Sequence, residues 1–476
     1  MENREETSST PPSRRDSLAN ASTLLVELLQ MIFSYYAEYK DFNVRSFFPS
    51  RPCWINVTYV CRHWRAAALS CSSLWTSIDN VLLTKRWIKA FIERSNPSLI
   101  DVRVWTRFER LAGVNELVAL LTGCTRLRSL HINAEHETIF EILDALPSAT
   151  HLRSFSLSTL GQRNIELPDN LFGGQAPIRE LRFFKRHSYF AAPHWLLRGI
   201  THFTSDQEMS FEELLDALGQ MHVLHSFTLE RCVLQMWTVT PEPPDDFQIR
   251  MPNLMYFTVD VDTGSTIFFA MLYRRMVLPD GAKKRIRSHQ CANSAYWHSW
   301  ECWNIPTVPS PIPEVIQAAN GFQQVRLSGG LRMGGFRLWT GDGGYDEAEF
   351  SFEFSWKFEE SDRKVPTFVL NLVPLCDKLG VERVRMLTIV IKRHDRLWSG
   401  GSFLWRNLLR KFPAVEELEL CVNAVKKLRS EWKPSHAPAV FPKLRSLRVV
   451  RGANSTASVA DGAEDLIAIL QRKANQ

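Results

Sequence analysis

Four side chains of the types that bind zinc fall close together in the second half of the chain. His289, Cys291, His298 and Cys302 lie within 14 residues, and imidazole nitrogen and thiolate sulfur are ligands that zinc prefers. One residue separates the first pair and three residues separate the second, a spacing that matches no common zinc pattern. The sequence therefore favours a disordered or packed aromatic loop over a metal centre, and we expect no cofactor.

Other signatures of chemistry are also weak. Gly341-Asp342-Gly343-Gly344 is rich in glycine but lacks the Lys-Ser/Thr pair that completes a phosphate-binding loop, so these residues are typical of a turn. The chain contains neither Gly-x-Ser-x-Gly nor His-Glu-x-x-His. Cys61 lies among apolar residues, which predicts a small buried hydrophobic side chain instead of a nucleophile. We therefore expect a protein that is not an enzyme.

Two apolar stretches near the amino end define the elements around Cys61. In the first, apolar residues recur at the spacing of an amphipathic helix, with Ser22 and Thr23 as candidate N-caps. The second stretch predicts one helix from Trp54 to Leu69, and the segment closes with Leu74 to Asp79. The apolar residues of the first helix are Leu24, Leu25, Leu28, Leu29, Ile32 and Phe33, and those on one face of the second are Val57, Val60, Cys61 and Trp64.

This order of parts resembles the F-box, and more closely the fungal F-box proteins that carry a leucine-rich-repeat-like C-terminal region. The family pattern has Pro at its second position, where this chain has Leu25. The helix start therefore depends on Ser22 or Thr23. The stretches that carry the resemblance are Leu24, Glu27-Leu28-Leu29, Ile32-Phe33, Val60 to Arg65 and Leu74 to Asp79.

The resemblance implies that this segment binds the Skp adaptor and, through it, a cullin scaffold. Short helices spanning about 55 residues bury too little of their own surface to cover so many large apolar groups. Burial of five such side chains on a partner contributes roughly 7 to 15 kcal/mol before association costs. The alternative is an N-terminal helical cap of a larger domain. The predicted contact residues are Leu24, Leu25, Leu28, Ile32, Val57, Val60 and Trp64.

The composition of the chain indicates its cellular compartment and the classes of partner that it binds. The chain has 476 residues, a formal net charge of +6 and nine cysteines at irregular spacing, which favours a reducing compartment and gives no reason to expect nucleic-acid binding. Residues 1–20 are polar and predict a disordered tail, and no run of 18 apolar residues occurs. We expect a cytoplasmic or nuclear protein with no membrane contact. The basic run Lys283 to Arg287 is either a nuclear import signal or a solvated loop.

A short pattern of strand-like residues returns along the rest of the chain. The intervals in the first half are 28, 25, 26, 22, 24 and 30 residues, close to the repeat of about 20 to 29 residues in leucine-rich repeats. Helix-like stretches lie between the copies at residues 114–121, 138–146, 211–218 and 403–412. The copies start at Leu99, Leu127, Leu152, Ile178, Ile200, Leu224, Leu254, Val384, Val415 and Leu444.

The predicted fold is α/β, with an N-terminal helical F-box-like module at residues 21–96 and a curved leucine-rich-repeat-like solenoid at residues 97–476. The alternative is an ordinary α/β domain with scattered strands. The first, fourth and sixth positions of each copy face the core, and the intervening side chains line a sheet face that suits a protein target. The candidate target-binding residues are His131, Glu180, Arg182, Tyr256, Glu417 and Arg448.

Two stretches interrupt the repeat and are predicted as insertions near residues 263–320 and 327–375. The second contains the period-two run Phe350 to Phe358, which predicts a strand in a hairpin.

Together the F-box resemblance and the repeated pattern indicate the substrate-recognition adaptor of a Skp-cullin-F-box type ubiquitin ligase. The alternative is a non-catalytic F-box interaction protein that does not recruit a ligase.

Overall fold

The computed structural model forms two compact units, residues 1–199 and residues 200–476. The boundary expected at residue 96 lies inside the first unit. The structure describes residues 24–43, 53–80, 83–106, 114–122, 124–146, 148–160, 164–184, 190–206, 209–232, 234–235, 248–262, 272–273, 275–290, 324–329, 333–340, 350–357, 376, 381–391, 407–425 and 441–450.

The first unit begins with helices and continues as alternating strands and helices. Its α-helices are α1 Val26–Asn43, α2 Arg62–Ser70, α3 Lys85–Arg94, α4 Val114–Leu121, α5 His136–Asp144 and α6 His194–Arg198. Its 3-10 helices are Cys53–Tyr59, Ser72–Trp75 and Leu171–Gly174. Its strands are β1 Ser77–Asp79, β2 Ile100–Trp105, β3 Leu127–Ala134, β4 Ser154–Thr159, β5 Ile165–Glu166, β6 Glu180–Phe184 and β7 Phe190–Ala191.

Strands β1, β2, β3, β4 and β6 are neighbours in that order and run parallel. Their register places Val102 beside Leu130, Leu130 beside Phe155, and Phe155 beside Leu181. All four side chains are buried, so one face of the sheet forms the core. The residues between them, at period two, lie on the opposite face.

An aromatic cluster joins the short helices of the first unit to one another. The ring of Trp75 lies 5.0 Å from the rings of both Trp54 and Phe91. Its indole Nε1 donates a 3.0 Å hydrogen bond to the carbonyl of Ala68. These aromatic side chains are almost fully buried, and large aromatic groups contribute most to a core of this size.

The second unit is dominated by strands. They are β8 His202–Ser205, β9 Met209–Ser210, β10 Ser226–Cys232, β11 Leu234–Gln235, β12 Ile249–Arg250, β13 Tyr256–Asp262, β14 Met276–Val277, β15 Lys283–Gln290, β16 Gln324–Gly329, β17 Met333–Trp339, β18 Phe350–Lys357, β19 Met386–Ile391, β20 Glu417–Cys421 and β21 Ser446–Val450. Helix α7 is Phe211–Gln220, and a 3-10 helix covers Val381–Arg383. A capping box of Ser210 and Glu213 begins α7.

The main sheet of the second unit has the order β8-β10-β13-β15-β18-β17-β16-β19-β20-β21. Strand β17 is antiparallel to both of its neighbours, and the other described pairs are parallel. Phe227 stacks between Phe203 and Phe257, with ring centroids 6.0 Å and 5.6 Å away. Equivalent positions of successive strands thus build the core, as a repeated pattern requires.

The strands predicted from the repeated pattern are confirmed. From the third copy onward each strand begins two residues after the predicted start, as at Leu152 and β4. Helix α4 has the predicted bounds, whereas α5 begins two residues earlier than predicted. Residues 407–409 of the predicted helix at 403–412 are helical, and its first four residues lie outside the described ranges. The curvature of the predicted solenoid stays a prediction.

Strands of the main sheet cross both stretches that are predicted as insertions. Strand β15 pairs with β13 and β18, and strands β16, β17 and β18 continue the same sheet. The period-two pattern of β15 is difficult to recognise in the sequence. Ile286 is the buried residue of this strand, and the residues around Ile286 are Lys and Arg. The predicted hairpin is confirmed by the antiparallel pair of β17 and β18. The tail at 1–20 and the glycines at 341–344 lie outside the described residues.

Candidate partner-binding surfaces

Helix α1 carries two apolar faces. Leu29 and Phe33 are fully buried against the rest of the first unit. Leu25, Leu28 and Ile32 remain 66%, 45% and 50% exposed, and their i, i+3, i+7 spacing places them on one side of the helix. A helix that only had to pack on its own domain needs one apolar face, so the second face is available for a partner.

Contacts with α2 hold α1 in this orientation. The amide Nε2 of Gln30 donates to the carbonyl of Ala67 at 3.3 Å, and the imidazole Nε2 of His63 donates to the carbonyl of Leu24 at 2.8 Å. The rings of Phe33 and Trp64 are 5.3 Å apart. Because these contacts use the inner face of α1, they leave the outer face toward solvent.

The prediction of a single helix from Trp54 to Leu69 is wrong. The chain forms the 3-10 helix Cys53–Tyr59 and then α2, with Cys61 in an extended conformation at φ −158° and ψ 171° between them. The Sγ of Cys61 accepts a 3.5 Å hydrogen bond from the backbone N–H of Trp64 and so caps α2. Cys61 is half-buried, not buried as expected, because its side chain serves this turn.

The break at Cys61 leaves a second exposed apolar residue beside α1. Val60 is 51% exposed, and the 3-10 helix that precedes it contacts α1. We name as the outer patch the exposed apolar residues on this side of the two elements: Leu25, Leu28, Met31, Ile32, Tyr35, Tyr59 and Val60. Of the other predicted contact residues, Leu24, Val57 and Trp64 are half-buried, and Trp64 packs on Phe33.

The start of α1 lies later than the predicted caps. The backbone N–H of Leu29 donates to the carbonyl of Leu25 at 3.1 Å, and the helix begins at Val26. Leu25 therefore occupies the N-cap position with an apolar side chain that cannot accept a hydrogen bond. Ser22 and Thr23 lie outside the described residues.

His131 lies at the centre of the solvent-facing side of the first unit's sheet. Its Nδ1 shares a 2.6 Å hydrogen bond with the Oγ of Ser156, and its ring lies 5.1 Å from the ring of Trp105 and 6.5 Å from that of Phe184. Burial, together with the positive charges of Arg103 and Arg182, lowers the pKa of His131 to about 4. The imidazole is therefore neutral near pH 7.

Acidic groups lie one row away from His131 on the same face. Arg128 binds Asp101 through two hydrogen bonds, of which the Nε–Oδ1 bond is 3.0 Å. The pKa of Arg128 is raised by this hydrogen bond. Glu180 accepts a 3.0 Å hydrogen bond from the Oγ of Ser154 and lies 3.6 Å from the Nη2 of Arg182. The predicted residues His131, Glu180 and Arg182 thus belong to one polar surface.

The predicted target residues of the second unit lie at two separate places. Tyr256 is exposed at the start of β13, in a shallow groove of about 420 Å³ that also includes His225, Met255 and Lys283. On neighbouring strands, Glu417 is opposite Ser446, and Glu419 is opposite Arg448. Glu417 and Arg448 are exposed. The binding roles of these residues stay predictions.

Within the described ranges, no group of three or more His, Cys, Asp or Glu side chains is placed to hold a metal ion. His289 lies in β15, and Cys291, His298 and Cys302 lie outside those ranges. No helix in the described part of the chain combines the length and the apolar character needed to cross a membrane.

Comparisons with known proteins support an assignment for the amino-terminal segment. The leucine-rich repeat-containing protein LegL7 from Legionella pneumophila has a similar structure, with a TM-score of 0.26 and 10% sequence identity over 80% of this chain and 94% of that chain. No curated protein matches the chain. The F-box-like family matches residues 26–81, which extend from the start of α1 past the end of β1. The chain therefore contains an F-box-like domain at residues 26–81.

Proposed function

We propose that this protein is a non-catalytic adaptor that binds the Skp adaptor through the outer patch and a target protein through its sheet faces. The Skp adaptor links it to a cullin scaffold, and the ligase partners supply the chemistry of ubiquitin transfer in the cytoplasm or nucleus. The observation that supports the first part is the second apolar face of α1, with Leu25, Leu28 and Ile32 about half-exposed.

The outer patch is large enough to stabilise a complex. Its seven side chains keep 45% to 71% of their surface exposed. Full burial of one such side chain contributes about 1.5 to 3 kcal/mol, so burial of the remaining surface contributes roughly 6 to 12 kcal/mol. Association and side-chain ordering cost several kcal/mol of this gain. The balance is compatible with a specific helix-in-groove complex.

Leu28→Asp tests the proposal with little risk to the fold. Leu28 is the third residue of α1 and is 45% exposed, and a carboxylate in the first turn interacts favourably with the helix dipole. On a partner, the same carboxylate would be buried among apolar groups, which costs about 3 to 5 kcal/mol. We expect co-purification of the Skp adaptor to fall by more than 100-fold.

Val277→Asp is the matched control, because Val277 is 44% exposed and lies in the second unit. Retained adaptor binding by Leu28→Asp, with binding equal to the control, would contradict the proposal. Assembly of ubiquitin chains on a bound target in a reconstituted mixture then separates a ligase subunit from an F-box protein that recruits no ligase.

A further inference from the structure

One repeat copy of the second unit exposes two neighbouring apolar side chains where other copies have polar ones. Met255 and Tyr256 occupy the second and third positions of the copy that starts at Leu254, and they are 53% and 48% exposed. Four other copies of this unit carry two polar residues at these positions, so the fold itself does not require apolar groups there. These pairs are Thr201-His202, His225-Ser226, Glu416-Glu417 and Arg445-Ser446.

Backbone hydrogen bonds hold this pair at the start of strand β13. The N–H of Met255 donates to the carbonyl of His225, and the N–H of Lys283 donates to the carbonyl of Met255, both at 2.8 Å. The register aligns Tyr256 with Ser226 on one side and with Lys283 on the other. Because neighbouring strands hold the backbone from both sides, substitution of the two side chains should leave β13 paired.

The exposed pair belongs to the Tyr256 groove, which is lined by His225, residues 252–256, Pro279 and residues 281–283. Its volume is about 420 Å³, near the lower limit of the roughly 300 to 1,000 Å³ that ligand sites enclose. The N–H groups of Leu254 and Ala282 each donate to the carbonyl three residues earlier, at 3.2 Å and 3.1 Å, so tight turns form this part of the lining. A space of this size accommodates one or two side chains of a peptide.

Three polar groups of the groove are available to a ligand. The amide of Asn253, the hydroxyl of Tyr256 and the ammonium of Lys283 are exposed. None of them forms a hydrogen bond or an ion pair with another residue in the described ranges. All three groups donate hydrogen bonds, so they suit the carbonyl and carboxylate oxygens of a peptide.

Charge at the groove favours an acidic partner. Lys283 carries a formal positive charge, and no carboxylate is among the described residues that line the groove. In the adjoining turn, the Nζ of Lys284 donates to the backbone carbonyl of Asp280 at 3.4 Å, so two lysines accompany the carboxylate of that turn. A partner's carboxylate beside Lys283 gains a charge-assisted hydrogen bond, whereas a basic partner would be repelled.

We propose that the target segment bound by the Tyr256 groove is an extended peptide with a large apolar side chain next to a carboxylate. The apolar side chain packs on Met255 and Tyr256, and the carboxylate accepts a hydrogen bond from Lys283. This proposal rests on the proposed function, since it names the kind of target segment that the second unit binds. Recognition of extended peptides commonly combines main-chain hydrogen bonds with a pocket for one side chain.

Peptide selection with the full chain tests the proposal. A phage library of random ten-residue peptides is first depleted on the Gly281→Leu variant and then selected on the unsubstituted chain. A Cβ at Gly281 meets no atom within 4 Å, so the leucine should fill the groove without disturbing the fold. We expect the selected peptides to share Leu, Phe or Trp beside Asp or Glu. Fluorescein-labelled copies should bind Gly281→Leu at least tenfold more weakly in fluorescence anisotropy.

Two further variants control for changes in the fold. Gly219→Leu is matched to Gly281→Leu, because Gly219 lies in α7 of the same unit and also has open space around its Cβ position. It should bind the peptides as the unsubstituted chain does. Met255→Thr with Tyr256→Ser introduces the residue types that Thr201 and Ser226 provide at the same positions of other copies, and this double variant should also weaken binding at least tenfold.

The role of charge is tested separately. Lys283→Gln should weaken binding of a selected peptide at least threefold. It should not change the binding of the same peptide when Gln or Asn replaces the acidic residue. An equal effect on both peptides would contradict the contact between Lys283 and the carboxylate.

Other results would overturn the proposal as a whole. They are the absence of any selected peptide after depletion, a set of selected peptides without an acidic residue, and equal losses of binding in Gly281→Leu and Gly219→Leu. A dimer that Gly281→Leu converts into a monomer in analytical ultracentrifugation would assign the groove to a second copy of the chain instead. Co-purification of the Skp adaptor, which uses the outer patch, reports the proposed function separately.

Discussion

Substitution of Leu25 should change fold stability and partner binding in opposite directions. Leu25 accepts the first intrahelical hydrogen bond of α1 through its carbonyl, from Leu29 at 3.1 Å, but its side chain satisfies none of the free N–H groups of the first turn. An Asp at this position supplies the missing acceptor and a charge that the helix dipole favours. Leu25→Asp should therefore stabilise the first unit while it removes an apolar group from the outer patch.

The structure sets the size of both effects. An N-cap Asp contributes about 1 kcal/mol and its charge about 0.5 kcal/mol more. The leucine is 66% exposed, so loss of its buried third costs about 0.5 to 1 kcal/mol. The net gain of about 0.5 to 1 kcal/mol should raise the melting temperature of the first unit by about 2 °C. Binding loses the apolar contact and buries a charge, which weakens the complex with the Skp adaptor at least tenfold.

Differential scanning calorimetry and titration with purified Skp adaptor measure the two quantities on the same sample. Leu25→Ala is the control, because it removes a similar apolar surface and adds no acceptor, so it should weaken binding without raising the melting temperature. A lower melting temperature for Leu25→Asp than for Leu25→Ala would refute the N-cap assignment. An unchanged affinity would refute the place of Leu25 in the outer patch.

Two further predictions concern the first unit. The folded-state pKa of His131, about 4, lies below its unfolded value of 6.5, so the unfolded chain binds the proton first and stability falls as the pH decreases from about 6.5 to 4. Between pH 7 and pH 5 the free energy of unfolding should decrease by about 2 kcal/mol. The melting temperature of His131→Gln should therefore depend less on pH than that of the unsubstituted protein. An identical pH dependence of the two melting temperatures would contradict this prediction. Trp75→Ala should lower the free energy of unfolding by about 3 to 5 kcal/mol, and hydrogen exchange should show faster exchange of the backbone amides of α2 and α3. Trp195→Ala should lower the free energy of unfolding far less, because the indole N–H of Trp195 donates only an exposed hydrogen bond, to the carbonyl of Asp169.

The repeated pattern predicted the strands well because its period reports burial directly. Apolar residues such as Leu130 and Phe155 must alternate with exposed ones wherever one face of a sheet is buried. The pattern failed at β15, where a single buried Ile286 is surrounded by basic residues. Long Lys and Arg side chains reach solvent from partly covered positions, so their presence in a sequence does not exclude a strand.

Local sequence also failed to predict the turn at Cys61. Apolar spacing from Trp54 to Trp64 agrees with a continuous helix, and an N-cap thiol is an uncommon signal. The break depends on how α2 packs against α1 through Phe33 and Trp64. Such contacts join residues far apart in the chain, and no local pattern contains them.

The sequence by itself determined the F-box-like segment, the positions of most strands and the apolar residues of α1, because each depends on a local period of side-chain types. Only the tertiary structure decided which face of α1 stays exposed and which charged groups meet above the sheet. Up to 79 residues of chain separate Arg103, His131 and Arg182. Only the parallel pairing of β2, β3, β4 and β6 aligns these three residues. Register between strands is a property of the assembled sheet, so the charge arrangement arises only when the chain folds.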